Sequence, residues 1–134
     1  MVIDTSALVA ILQNEPERRA FTERIEEAAI RAVSAATLVE CSIVLESRFG
    51  PAGVLSLDQL LEAAAVRVVP VDVEQARAAR DAYRRFGKGR HPAGLNLGDC
   101  FSYALAITRA EPLLCKGADF VATDVELALP PRPG

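Results

Sequence analysis

VIDTSALVAIL, residues 2–12, is apolar almost throughout, yet Asp4 stands inside it with Thr5 and Ser6 directly behind. The stretch reads as two elements with no loop between them. MVID is a short buried strand, and TSALVAILQN has the periodicity of a helix. Asp4 then closes the strand and is placed to cap the helix. A carboxylate in apolar surroundings is costly unless something neutralises it, so its position asks for a reason. In open parallel sheets, sites form at the carboxyl ends of the strands, and Asp4 stands at such an end.

The remaining chain repeats the same strand-then-helix order. From Pro16, PERRAFTERIEEAAI reads as an amphipathic helix with proline in its first turn and Phe21, Ile25 and Ala28/Ala29 at helical spacing. RAVS is a strand, and Ser34 can cap the helix AATLVECSIVLESRF. Gly50-Pro51 ends that helix and AGVLSLDQLLEAAA forms another. VRVVPV is a strand with Pro70 near its end. DVEQARAARDAYRRFG is a helix opened by acids and closed by bases, as the helix dipole favours. KGRHPAGLN is a loop, and Asn96 can cap LGDCFSYALAITRA. After Pro112 come a strand LLC, a turn KGAD and a last strand near FVAT. The alternation predicts an α/β fold, a three-layer α/β/α sandwich whose central, mostly parallel sheet is covered on both faces. Residues 1–129 are expected to form a single domain and 130–134 an extended, mobile Pro-rich tail.

Composition bounds the function. The chain has 134 residues, one domain by length, and 51% of them are hydrophobic. With no Trp, two Tyr and five Phe, the core must be aliphatic. There is no signal-peptide pattern at the start and no apolar run long enough to cross a bilayer, so a cytoplasmic protein without membrane contact is expected. Cys41, Cys100 and Cys115 are odd in number and match no zinc spacing; they read as reduced thiols in apolar settings. The net charge of −3 argues only weakly against nucleic acid, because the distribution of charge matters more than its sum.

Three further acids interrupt apolar sequence as Asp4 does. Glu40 lies within ATLVECSIVL, Asp99 in the first turn of NLGDCFSYALAI, and Asp119 in CKGADFVATD. None has Lys or Arg at i±4. Each has a local explanation. Asp4 caps a helix, Asp99 completes a capping box with Asn96, Asp119 sits in a turn, and Glu40 forms a buried ion pair with a distant Arg. No local explanation accounts for all four at the strand ends and helix starts of one sheet. A divalent cation does. Mg²⁺ or Mn²⁺ takes hard oxygen ligands, and its charge offsets the repulsion among clustered carboxylates. Thr5 and Ser6 can orient a water or cap the first helix, with Thr123 and Asp124 in the same part near Asp119. The one histidine, His91, falls in the Gly/Pro loop and suits a surface or substrate contact. The chain has no GxxxxGK[ST] phosphate loop.

VIDTSALVAIL, AATLVECSIVL, LNLGDCFSYALA and LLCKGADFVATD together resemble the PIN-domain ribonucleases, specifically the VapC toxins of prokaryotic type II toxin–antitoxin pairs. The likeness runs over nearly the whole chain in the family's order and spacing. It implies a Mg²⁺- or Mn²⁺-dependent RNA endonuclease with Asp4, Glu40, Asp99 and Asp119 on the family's acidic positions. It also implies a homodimer and a cognate VapB-like antitoxin that wraps the toxin, often inserting a basic side chain among the acids. Many PIN domains carry the fourth acid slightly earlier, where this chain has Gly117; Asp119 is the available carboxylate.

The helix before Asp99 divides by charge. Ala76, Ala79, Tyr83 and Phe86 make an apolar stripe, while Arg77, Arg80, Arg84 and Lys88 make a basic one. With Arg85, Arg90 and His91 they form a candidate phosphate track for RNA; the plain alternative is a solvated face. Asp4 and Asp99 are the expected direct metal ligands, with Glu40 and Asp119 ligating through water or holding a second ion. Two rivals stand beside the nuclease. One is a PIN-like module that binds metal or RNA without cutting. The other is a receiver-like phosphoacceptor, which would need Lys116 near its acids.

Overall fold

In the computed structural model, which describes residues 1–130, the central sheet is built from four short parallel strands. They are β1 (Val2–Ile3), β2 (Ala32–Ser34), β3 (Arg67–Val69) and β4 (Leu113–Leu114). The order across the sheet is β3-β2-β1-β4. Six helices accompany them among the described residues: α1 (Thr5–Leu12), α2 (Arg18–Glu27), α3 (Ala35–Phe49), α4 (Pro51–Ala63), α5 (Val73–Phe86) and α6 (Leu97–Arg109). The mobile-tail expectation falls largely on residues 131–134, which lie outside the described residues.

The strands alternate faces, as a pleated backbone must. Val2, Ala32 and Leu113 point into one core with Val69, Ala79, Ala82, Phe86 and Leu105. Ile3, Val33 and Leu114 point into the other with Leu8, Ile11, Phe21, Cys41, Leu45 and Leu57. Hence α5 and α6 cover one face, α1 to α4 cover the other, and the three-layer sandwich stands. Each fully buried Leu or Ile contributes roughly 1.5–3 kcal/mol, so an aliphatic core of this extent needs no tryptophan.

Three details depart from the sequence reading. The expected strand near FVAT does not form. Residues 119–122 are turns, and the chain rejoins the sheet only at an isolated bridge between Leu113 and Leu127. Phe120 is buried in the α5–α6 core, and that single anchor explains the apolar run. Helix α2 begins at Arg18, so Pro16 precedes its first turn. The buried stripe of α5 is Gln75, Ala79, Ala82 and Phe86, which leaves Ala76 and Tyr83 exposed.

The strand order has one reversal. The chain steps from β1 outward to β2 and β3, then returns to place β4 on β1's other side. The crevice beyond the carboxyl ends of β1 and β4 is the place where such a sheet opens a site. Helix α6 runs back against the strands to reach β4, so its N-terminus also lies at this edge.

Candidate active site

Asp4 follows β1 directly and is 3% exposed. It caps α1: Ser6 N–H donates to Oδ2 at 3.1 Å and Ser6 Oγ donates to the same oxygen at 2.7 Å. Ser102 on α6 donates its hydroxyl to Oδ1 at 2.6 Å, and Ser102 in turn shares a 3.2 Å hydrogen bond with buried Thr37 of α3. Ser6 Oγ accepts the backbone N–H of Lys116 at 2.9 Å, which ties the loop after β4 to Asp4's own partner. A buried carboxylate is thus held by neutral hydroxyls from two helices, with no cation among its hydrogen-bond partners.

Glu40 projects from α3 and accepts the Thr5 hydroxyl at 2.5 Å. Its carboxylate lies over Gly98, where an added Cβ would fall 1.6 Å from Oε2. Only glycine permits that approach. Asp99 is the next residue. It forms the expected capping box of α6: its Oδ2 accepts Asn96 N–H at 3.1 Å, and its own N–H donates to Asn96 Oδ1 at 3.0 Å. Its carboxyl is nevertheless pushed up to about 6, first by burial and then by the charges of Asp4, Asp119 and Glu40. So all four acids act on one place. Burial is the main cause that raises the Cys115 thiol to about 12, with Asp4, Asp119 and Asp99 adding to it. The local explanations of Asp4 and Asp99 are both correct and both incomplete, because the charge of Asp4, which caps α1, also acts on Asp99, which caps α6.

The donor chemistry fits a hard divalent cation. The charges of Asp4, Glu40 and Asp119 all reach the carboxyl of Asp99, and the nearby Cys115 is held as a neutral thiol. His91 is engaged elsewhere, its Nδ1 accepting Ala93 N–H at 3.0 Å. Among the described residues, no three His, Cys, Asp or Glu side chains are gathered closely enough to hold an ion by themselves. Water would have to complete the coordination, which is the habit of Mg²⁺.

The supporting residues sort unevenly. Thr5 and Ser6 take the positions expected of them. Thr123 bonds within its own turn, donating to Phe120 O at 2.7 Å. Asp124 is committed away from the acids: it accepts the Tyr103 hydroxyl at 2.5 Å and pairs with Arg85 at 3.6 Å. That clamp fastens the loop bearing Asp119 to α5 and α6. Lys116 turns its ammonium to Glu15 and Glu17, each at 3.3 Å, and so lacks the placement a phosphoacceptor would require. Gly98, Ser102 and Thr37 were missed in the sequence. A glycine inside the first turn of an apolar helix was the available signal, since it costs about 1 kcal/mol relative to alanine and so marks a close approach.

All six basic residues of the α5 region are exposed. Arg84 donates to Asp81 at 2.7 Å, and Arg85 is held by Asp81 and Asp124. Arg90 stands over the Tyr83 ring at 5.7 Å. The side chains of Arg77, Arg80 and Lys88 form no hydrogen bond or ion pair among the described residues.

An acid-lined crevice at the reversal of a small parallel sheet is the arrangement of a PIN domain. Residues 1–126 match the family model described as PIN domain, and the chain belongs to that family. It is 56% identical over 125 residues to a protein named Ribonuclease VapC from Mycolicibacterium smegmatis, covering 93% of this chain and 97% of that one. The relatives it matches at this level within the family are VapC ribonucleases. The crystal structure of VapC20 from Mycobacterium tuberculosis, described as a Sarcin-Ricin loop cleaving toxin, superposes with a TM-score of 0.76 at 16% identity, covering 92% of this chain and 95% of that chain. A toxin–antitoxin complex from Klebsiella pneumoniae gives 0.66 at 16% identity, with 92% of each chain covered. These two likenesses establish the shared fold.

Proposed function

We propose that this chain is the toxin of a toxin–antitoxin pair, a Mg²⁺- or Mn²⁺-dependent endoribonuclease that hydrolyses RNA phosphodiester bonds. The observation that carries the reading is the placement of three acids at one end of the sheet: Asp4 at the end of β1, Glu40 over Gly98, and Asp99 beside that glycine in the first turn of α6. Such crowding of like charge calls for a cation at this crevice. Asp4 and Asp99 are the proposed direct ligands, with Glu40 and Asp119 acting through water or toward a second ion. A bound Mg²⁺ or Mn²⁺ would supply Lewis acidity toward a phosphoryl oxygen and lower the pKa of a water nucleophile.

The chain's own residues do the positioning. Ser6 and Ser102 fix both oxygens of Asp4, Thr5 fixes Glu40, and Asn96 fixes Asp99. These three carboxylates are therefore aimed before substrate arrives. Arg77, Arg80, Lys88 and Arg90 are the proposed phosphate track, with Arg84 and Arg85 contributing less because acids already hold them. A VapB-like antitoxin and a homodimer are the proposed protein partners. Val39 and Ile43, 57% and 62% exposed on the α3 turns beside Glu40, suit a protein surface more than water. No helix among the described residues is long and apolar enough to cross a membrane, and a cytoplasmic location is part of the proposal.

The test is Asp4→Asn. It keeps the shape and the helix cap while removing the charge. Metal-dependent cleavage of RNA should vanish with the fold intact by circular dichroism. Full activity in this variant would overturn the reading, and binding of RNA by the wild-type chain without cleavage would favour a module that does not cut.

A further inference from the structure

Between α5 and α6, outside the acid crevice, lies a mostly apolar groove of about 590 Å³. Its volume is in the range of small-molecule sites. Tyr83 and Phe101 supply its aromatic surface, and Arg80 and Lys88 line it with unpaired charge. Asn96 and Leu97 also line it, and they are followed in the chain by Gly98, under the Glu40 carboxylate, and Asp99. The groove therefore ends where the acids begin.

Several features select its occupant. Tyr83 is 41% exposed, and its ring is packed along one edge. Gly87 packs so closely that an added Cβ would come 2.9 Å from Tyr83 Cδ2, and Arg90 stands over the ring. A half-exposed aromatic ring beside two cations presents a stacking surface for a flat anionic ligand. Leu97 is 73% exposed, far more than a leucine at an ordinary helix start gains from. A second copy of this chain seated symmetrically would set two sets of Arg80 and Lys88 against each other, which is unfavourable. An anion with a flat apolar body satisfies both the charge and the rings.

We propose that this groove is a nucleobase subsite. It stacks one base of a single-stranded RNA against Tyr83 and Phe101, Arg80 and Lys88 hold the flanking phosphates, and the adjoining linkage is presented at the Asp99 end. The identity of the ligand rests on the ribonuclease reading. Base–aromatic stacking beside a basic rim tolerates many sequences, so this subsite sets strand placement more than base identity.

The test uses the full chain in EDTA, so that binding is read without cleavage. The probe is a short single-stranded oligoribonucleotide carrying one fluorescent purine analogue, with anisotropy giving affinity and quenching reporting stacking. Wild type should bind and quench. Tyr83→Ala should weaken binding about ten-fold and abolish the quench, while Tyr83→Phe should keep both. Lys88→Glu should reduce the slope of log affinity against log salt by about one. Wild-type affinity and quench in Tyr83→Ala would overturn the proposal. So would a shift from two copies to one in Tyr83→Ala and Leu97→Ser on sedimentation with RNA affinity unchanged, which would make the groove a contact between copies. A separate arm with Mn²⁺ keeps the two readings apart. Binding and quenching without cleavage would leave the subsite standing and remove the nuclease. Cleavage by a chain whose Tyr83→Ala variant binds normally would do the reverse.

Discussion

Gly98→Ala separates placement of the acids from stability of the fold. The new methyl would meet Glu40 Oε2 at 1.6 Å, and ordinary contact begins at 3.4 Å, so the carboxylate must retreat by about 1.8 Å. The carboxylate moves as one group, so the 2.5 Å hydrogen bond that Thr5 donates to its other oxygen, Oε1, should be lost or weakened. Losing a hydrogen bond to a charged acceptor costs roughly 1.5–3 kcal/mol, while alanine in place of glycine inside a helix returns about 1 kcal/mol. Net stability should fall by only about 0.5–2 kcal/mol, a few degrees in Tm. Activity has no such offset, because a misplacement of about 1 Å in a catalytic group can cost on the order of 100-fold. Cleavage of a fluorogenic RNA with Mn²⁺ should therefore drop by about 100-fold or more in a protein that still melts cooperatively. The cause is checked by a double-mutant cycle: added to Glu40→Gln, Gly98→Ala should cost little more. Activity within about threefold of wild type would show that the seat of Glu40 on Gly98 has no catalytic consequence.

Ser102→Ala removes the hydroxyl that holds Asp4 Oδ1 and leaves a buried carboxylate oxygen without that donor, so urea unfolding should show a loss of about 1–3 kcal/mol. In metal-free buffer Asp99 titrates at about 6 instead of 3.8, so the folded chain holds this proton more tightly than the unfolded chain does. Its contribution to stability is therefore greatest below the unfolded value and declines as pH rises toward the folded one. Melts in EDTA should show that decline in wild type and not in Asp99→Asn, and parallel curves for the two proteins would contradict it. Tyr103→Phe removes one arm of the clamp on Asp124 and should accelerate amide hydrogen exchange across residues 117–125; unchanged exchange there would mean that Phe120 and the Arg85–Asp124 pair anchor the loop without it.

The strand-to-helix joints were legible because their determinants are local. Asp4, Ser34 and Asn96 each cap the helix that follows, and hydroxyl, amide and carboxylate acceptors at such positions are short-range chemistry written in the order of residues. The four acids stood out for a similar reason, since an ionisable group in an apolar run is anomalous wherever the chain goes. The run FVAT misled because one buried aromatic, Phe120, can anchor a turn as well as a strand.

What the sequence by itself determined about this protein is the alternation of elements, the helix caps and the identity of the acids. What only the tertiary structure decided is which groups meet. Ser102 reaches Asp4 across 98 residues, Glu40 settles on Gly98, and Asp124 is claimed by Tyr103 and Arg85 rather than by the acids. Those pairings depend on the reversal that places β4 beside β1 and turns the N-terminus of α6 toward the same edge. The physical reason is range: a cap is settled within one helical turn, whereas the crevice exists only after both apolar faces of the sheet have been covered.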